Sequence, residues 1–82
     1  MERIIDVSKL EPPEPLERIL DSLAEMAPGD WLKVLHHREP YPLYGMLRNM
    51  GYCWSTIPGE VTSIEILIWP EEQEAPPGAE LF

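Results

Sequence analysis

The side chains best suited to chemistry in this chain of 82 residues lie close together in one short segment. His37, Arg38 and Glu39 follow one another, and Tyr44 comes shortly after them. A guanidinium group can donate two parallel hydrogen bonds to a carboxylate or phosphate, and a tyrosine offers an apolar ring with a polar tip. These residue types predict a small-ligand site formed by His37, Arg38, Glu39 and Tyr44. The alternative is a solvated turn in which Arg38 and Glu39 pair locally or cap the following helix.

Two adjacent histidines, His36 and His37, raise the question of a metal ion. Adjacent side chains at the end of a strand point in opposite directions, so both imidazoles do not easily bind one ion. One cysteine and two histidines are also too few soft ligands for a zinc site built by this chain alone. We therefore predict no metal and no other cofactor for the chain itself. A metal or haem shared with a partner through His36 or His37 is kept as an alternative.

Cys53 is the one thiol of the chain, so an internal disulfide is excluded and the fold must rely on packing. The residue lies between Tyr52 and Trp54, with no base or cation beside it in sequence. A cysteine among aromatic residues is usually a small apolar side chain rather than a reactive one. A carrier or redox role for Cys53 is kept as the alternative.

The acidic balance of the chain excludes one class of function. Its net charge of −9 argues against nucleic-acid binding, which requires Lys and Arg to neutralise phosphates. The longest apolar runs are only a few residues, and no charged-then-apolar leader precedes the first strand pattern. We therefore expect a cytoplasmic protein that binds neither nucleic acid nor membrane.

The hydrophobic pattern predicts six elements that position these side chains. Apolar residues recur with helical spacing after Pro13 as far as Ala27, and again from about Leu43 to Met50, where Gly51 suits a left-handed cap. The strands are predicted at 4–7, 31–36, 52–57 and 62–69. The order is β-α-β-α-β-β. It predicts an α+β fold, a two-layer sandwich with two helices on one face of a four-stranded mixed sheet.

Residues 1–69 are expected to form one domain, and residues 70–82 an acidic, proline-rich, disordered tail. If the strand alternation turns the isoleucines of the last strand towards the helices, a group of large apolar side chains faces the other side of the sheet. Such a face is typical of contact with a protein partner or a second copy of the chain. The residues predicted for that contact are Trp31, Leu35, Leu67 and Trp69. The alternative is a tail that folds back, with Leu81 and Phe82 as a partial lid.

Three prolines stand at the junction of the first strand and first helix, where Pro12-Pro13-Glu14-Pro15 forms a rigid corner. This corner resembles that of the TusA-like (SirA-like) sulfur carriers, which have Cys-Pro-x-Pro there. Pro13-Glu14-Pro15 matches the last three positions, and Pro12 occupies the position of the reactive cysteine. The resemblance spans roughly residues 4–69. Together with the Arg-Glu-Pro-x-Pro-Leu-Tyr segment at 38–44, it points to an uncharacterised branch of that superfamily.

The resemblance implies the same β-α-β-α-β-β order and a scaffold without its usual chemistry. Proline has no nucleophile, so persulfide transfer through position 12 is excluded. We therefore expect a small non-enzymatic accessory module that binds a partner or a small ligand. A sulfur relay that uses Cys53 instead is the alternative.

Overall fold

The structure, a computed structural model, describes residues 1–79 of the chain. Its elements follow the predicted order, and the predicted α+β two-layer sandwich is confirmed. The strands are β1 (Glu2–Asp6), β2 (Trp31–His36), β3 (Tyr52–Pro58) and β4 (Ile64–Pro70), and the helices are α1 (Glu14–Ala24) and α2 (Tyr41–Met50).

The four strands form one mixed sheet in the order β1-β2-β4-β3. β1 runs parallel to β2, and β4 is antiparallel to both of its neighbours, β2 and β3. The parallel pair is joined through α1, as parallel pairing requires a crossover connection. Both β1 and β3 are edge strands, and β2 and β4 form the centre.

The core lies between the helices and one face of the sheet, because strand residues alternate between the two faces. Leu32 and Val34 of β2 point towards the helices, as do Ile66 and Ile68 of β4, and all four are fully buried. The helices contribute their predicted apolar stripes to the same cluster. Its helical members are Ile19, Leu23, Leu43 and Leu47.

Helix α1 starts directly after Pro13 and has Pro15 in its first turn, where a missing amide hydrogen costs no bond. The helix ends at Ala24, three residues before the predicted end at Ala27. The Ala27 amide donates instead to the Asp30 carboxylate, with N and Oδ2 3.1 Å apart, so the chain turns there towards β2.

Helix α2 ends as its sequence predicts, at a glycine in the left-handed conformation. Gly51 has φ of 86°, and its amide donates to the carbonyl groups of Arg48 and Leu47. A residue with a side chain is strained at this φ, whereas glycine is not. The cap turns the chain sharply into β3, so α2 lies beside that strand.

Residues 71–79 cover part of the sheet face opposite the helices. Ala75 and Ala79 pack there against Leu67 and Trp69, and Ala79 is buried. The proline- and glutamate-rich composition of residues 70–82 predicts a disordered tail. Composition alone does not show that the small side chains of Ala75 and Ala79 fit against the large ones of Leu67 and Trp69. Residues 80–82, which include the lid predicted from Leu81 and Phe82, lie outside the described residues.

Polar contacts fix the start of the same segment. The side-chain amide of Gln73 donates from Nε2 to the Asp30 carbonyl group at 3.1 Å and accepts the Gly29 amide on Oε1 at 3.1 Å. The Glu71 amide donates to the Gly51 carbonyl group at 2.9 Å. Residues 71–79 are thereby joined to the turns before β2 and β3. Neither helix of residues 1–79 has both the length and the apolar character that crossing a bilayer requires.

Candidate ligand-binding site

A cleft of about 630 Å³ opens between the start of α1 and the connection from β2 to α2. Most of its lining is proline ring or aliphatic side chain, and the polar groups come from the end of β2, the β2–α2 connection and the first residue of α2. The lining residues are Pro12, Pro13, Pro15, Leu16, His36, His37, Arg38, Glu39, Pro40, Tyr41, Pro42 and Leu43.

Prolines make both walls of this cleft rigid. Pro12, Pro13 and Pro15 form the wall on the α1 side, and Pro40 and Pro42 stand on the α2 side. Each proline ring restricts φ, so these wall segments lose little conformational freedom when a ligand binds. The proline corner that the sequence singled out therefore lies at the cleft.

His36 is the most buried polar residue of the cleft, with 3 % of its surface exposed. The alternation of β2 causes this burial, because His36 follows Leu32 and Val34 on the face that meets the helices. Its Nδ1 accepts the backbone amide of His37 at 2.9 Å and that of Arg38 at 3.4 Å. The strand end thus holds the imidazole ring in one orientation.

These two amides fix which ring nitrogen of His36 carries the proton. A neutral imidazole has one N–H donor and one acceptor, and Nδ1 is occupied as the acceptor. The proton is therefore on Nε2, which has no hydrogen-bond partner among residues 1–79. Within that range the only fully buried side-chain polar atom without a partner is Ser55 Oγ, so His36 Nε2 is reached from the solvent. His36 presents a neutral donor to the cleft.

Burial lowers the pKa of His36 below its ordinary value of about 6.5, and the nearby charges of His37 and Arg38 lower it further. The charged form loses more hydration than the neutral form when the ring is buried. His36 is consequently neutral at pH 7, which agrees with the acceptor role of its Nδ1.

The side chains of His37 and Arg38 are exposed where the cleft meets solvent, and Glu39 is half-buried beside them. The hydroxyl groups of Tyr41 and Tyr44 help hold the pKa of the Glu39 carboxyl below its ordinary value, so this group carries a negative charge at pH 7. Three of the four residues predicted as a ligand site, His37, Arg38 and Glu39, therefore line one cleft.

Tyr44 does not line this cleft. Its ring stacks on Trp54 of β3, with centroids 5.1 Å apart and planes 2° from parallel. Its hydroxyl donates to Glu39 Oε1 at 3.2 Å and is 2.8 Å from Thr56 Oγ1. Burial raises the pKa of the Tyr44 hydroxyl above its ordinary value. In the structure Tyr44 therefore joins α2 to β3 rather than meeting a ligand in the cleft.

The sequence pattern predicts a possible role for His36 only as a metal or haem ligand, whereas the structure places this residue at the cleft. The signal for its burial was present, because Leu32, Val34 and His36 occupy alternate positions in β2. A histidine on the core face at the last strand position is expected to meet the next connection. The proline walls were recognised as a rigid corner but not as one side of a cleft.

The four residues predicted for partner contact do share the face opposite the helices. Trp69 and Leu67 are largely buried under residues 71–79, however, at 8 % and 3 % exposure. Trp31 packs against the same cluster, and its Nε1 donates to Glu2 Oε2 at 3.0 Å. Leu35 is half-buried at the uncovered end of this face. The predicted surface is therefore mostly occupied by the chain itself.

Cys53 lies on the face of the sheet away from the cleft. It pairs in register with Trp69 and packs against the cluster formed by Leu67, Trp69 and Ala79. These surroundings are apolar, as the sequence predicts for a thiol between aromatic residues. Cys53 and the proline corner lie on opposite sides of the sheet.

A second cavity, also of about 630 Å³, lies at the outer edge of β3. Its lining comes from β3, β4, α2, the β2–α2 connection and the covering segment, and it includes Glu39 and Tyr44 as well as Cys53, Ser55 and Trp69. Ser55 Oγ is buried here without a hydrogen-bond partner among residues 1–79. No three His, Cys, Asp or Glu side chains of those residues lie close enough together to hold a metal ion.

The structure is a small α+β domain with a cleft whose walls are mainly apolar and rich in proline. The chain belongs to the family described as "Uncharacterized conserved protein (DUF2249)", whose model matches residues 4–70. All the residues that line the cleft fall inside this range, whereas residues 71–79 lie beyond it. No curated protein and no solved structure matches the chain.

Proposed function

We propose that this protein is a non-enzymatic module that binds a small, mainly apolar ligand in the cleft between α1 and the β2–α2 connection. One observation carries the proposal: a histidine that is 3 % exposed lines this cleft with a donor that has no partner among residues 1–79. Small-molecule sites combine apolar walls with a few open polar groups, so a solvent-reached donor in a mainly apolar cleft favours a ligand there.

The dimensions and rigidity of the cleft support this role. Small-molecule sites usually have volumes of about 300–1,000 Å³, with apolar walls and a few placed polar groups. The cleft has about 630 Å³ and has prolines on both sides. A site formed before binding costs little ordering entropy, which favours affinity for a small molecule.

The resemblance to TusA-like sulfur carriers fits the same proposal. In those carriers the reactive cysteine stands at the start of the first helix, and here Pro12 occupies that position and lines the cleft. A proline ring offers an apolar contact surface and no nucleophile. We infer a scaffold of that lineage in which the place of the thiol has become part of a binding wall.

Partner binding through the other face of the sheet is the second role expected from the sequence. Leu67 and Trp69 are covered by Ala75 and Ala79, so this role requires residues 71–79 to leave the sheet. Light scattering of the wild type and of Leu35→Glu tests for a dimer that needs no such movement. Equal monomer masses for both proteins would count against a homodimer through this face.

The chemical alternatives receive less support from their surroundings. Cys53 lies among apolar side chains, which favours a packing role over a sulfur relay. His36 carries its proton on Nε2, so neither ring nitrogen offers a free lone pair to a metal or haem. The His37 side chain is exposed, and no backbone amide occupies its ring nitrogens among the hydrogen bonds of residues 1–79. Titration of the wild type and His37→Ala with zinc, iron and haem tests whether His37 binds a metal or haem.

A variant with a filled cleft tests the proposed function. NMR of the ¹⁵N-labelled protein is recorded with a panel of uncharged aromatic and aliphatic fragments, for the wild type, Leu16→Trp and Leu20→Trp. Both leucines are half-buried on α1, but only Leu16 lines the cleft. We expect amide shifts around His37 and Leu43 in the wild type and Leu20→Trp, and none in Leu16→Trp. Fragments that perturb other surfaces, or bind the filled variant equally well, would overturn the proposal.

A further inference from the structure

The chemical class of the ligand follows from His36, the most buried hydrogen-bonding residue that lines the cleft. His36 Nε2 carries a proton because Nδ1 already accepts the amides of His37 and Arg38, at 2.9 and 3.4 Å. The ligand must therefore offer an acceptor at this point, and a second donor there would leave both groups unpaired. Next to the donor the walls are proline and leucine, so the rest of the ligand is apolar.

Charge in and around the cleft argues against an ionised ligand. Arg38 and Glu39 both line the cleft and have opposite charges, so together they give it no net charge. Glu11 and Glu14 flank the proline corner, and the whole chain has a net charge of −9, so an anion meets repulsion as it approaches. A cation finds no lone pair on His36, because Nδ1 is occupied and Nε2 is protonated.

We propose that the cleft selects an uncharged apolar molecule that has a carbonyl-type oxygen, which accepts the hydrogen bond from His36 Nε2. This inference rests on the proposed function and specifies its ligand class. A carbonyl oxygen accepts a hydrogen bond without bringing a charge into a cleft whose walls are mainly apolar. The cleft volume of about 630 Å³ is large enough for a small apolar molecule.

Three matched probes test this selectivity: acetophenone, ethylbenzene and benzoate. Acetophenone and ethylbenzene have similar shape, but only the ketone has an acceptor oxygen. Benzoate also has acceptor oxygens, but they belong to a carboxylate and carry a negative charge. Transfer from water alone favours ethylbenzene, because no polar oxygen needs to be desolvated. A preference for acetophenone therefore reports a hydrogen bond in the site.

The dissociation constants are measured by NMR titration for the wild type, His36→Phe and the filled variant Leu16→Trp. We expect acetophenone to bind the wild type about fivefold more tightly than ethylbenzene, as one net hydrogen bond provides. In His36→Phe this ratio should fall below one, because the ketone oxygen has lost its donor while its desolvation still costs free energy. If that variant does not fold, the wild-type ratio and a ligand-induced shift of the His36 ring nitrogens decide instead.

The outcomes separate this inference from the proposed function. Equal binding of acetophenone and ethylbenzene by the wild type would overturn the ligand class and leave the cleft as a binding site. Tightest binding of benzoate would also overturn it, since the site would then select an anion. Binding of none of the three probes, together with no fragment binding at the cleft, would overturn the proposed function and this inference with it.

Discussion

At the residue scale, the proposed ligand selectivity depends on one imidazole, that of His36. His36 is held by backbone amides that the strand end supplies, so its tautomer depends on main-chain geometry and not on a second side chain. The alternation of residues in β2 contains the signal for the burial of His36. The tautomer could not be predicted, because it depends on where the next two amides point after the strand ends.

The first prediction concerns the pH dependence of stability. Since the pKa of His36 is lowered in the folded state, the unfolded chain binds more protons just below pH 6.5. The contribution of neutral His36 is fully present above that pH and is lost as pH falls towards the lowered pKa. Urea unfolding should therefore give a smaller free energy of unfolding at pH 5.5 than at pH 7.

His36→Phe should reduce this difference between pH 5.5 and pH 7. The carboxyl groups of Asp30 and Glu39 have lowered pKa values, so their contributions are lost only below about pH 4. An unfolding free energy of the wild type that stays constant from pH 7 to 5.5 would contradict a buried neutral His36.

Tyr44 provides the second prediction at this scale, because its hydroxyl joins two elements. Tyr44→Phe removes the hydroxyl contacts with Thr56 at 2.8 Å and with Glu39 at 3.2 Å but keeps the ring stacked on Trp54. We expect a loss of about 1 kcal/mol in the free energy of unfolding. A double-mutant cycle with Thr56→Val should show that most of this energy is shared between the two side chains. Additive losses would contradict the contact.

At the element scale, the glycines of α2 have opposite roles. Gly51 caps the helix with φ of 86°, where a side chain is strained, although a Cβ atom would come no closer than 3.8 Å to Glu71. Gly45 lies within the helix, and a Cβ atom there would meet nothing within 4 Å. Strain acts through backbone conformation at Gly51, and Gly45 only lowers helix propensity.

Alanine substitutions at these two glycines form a matched pair for the third prediction. Gly51→Ala should lower the free energy of unfolding by about 1–2 kcal/mol, the cost of a left-handed conformation with a side chain. Gly45→Ala should raise it by up to about 1 kcal/mol, because alanine favours the helix interior. Chemical denaturation measures both values. Destabilisation of similar size at both positions would contradict the cap.

Elements that depend on local sequence preferences could be predicted, whereas those that depend on contacts formed during folding could not. The apolar spacing of α1, the alternation in β4 and the glycine after Met50 identify elements through local preferences, and all three appear in the structure. The end of α1 at Ala24 instead depends on the Asp30 side chain, which takes the Ala27 amide. The hydrogen bond from Ala27 to Asp30 forms only when residues 27–30 have turned towards β2. The prediction from helical spacing alone therefore placed the end of α1 three residues too late, at Ala27.

At the scale of the whole molecule, residues 71–79 decide which sheet face meets solvent. Prolines and glutamates dominate the composition there, and single alanines add little hydrophobic signal. Packing of Ala75 and Ala79 on Trp69 becomes visible only when the sheet brings Leu67 and Trp69 side by side with Cys53. The apolar face was therefore predicted from the sequence, whereas its covering was left as an alternative.

Introducing a charge under this covering gives the fourth prediction. Ala79→Asp places a carboxylate against Leu67 and Trp69, so we expect residues 71–79 to separate from the sheet. Acrylamide should then quench tryptophan fluorescence more strongly, and the exposed apolar face should promote association at high concentration. Glu72→Ala, an exposed change in the same segment, should alter neither property. Unchanged quenching in Ala79→Asp would contradict the packing.

The central claim about the whole molecule is that its cleft presents a neutral Nε2–H of His36 to an uncharged ligand. A long-range ¹H–¹⁵N correlation spectrum of the histidine rings, recorded at pH 7 with and without acetophenone, tests this claim most directly. We predict a His36 Nδ1 shift typical of an unprotonated acceptor and a protonated Nε2 whose shift alone moves on binding. A proton on Nδ1, or ring shifts that acetophenone leaves unchanged while it binds, would contradict the claim.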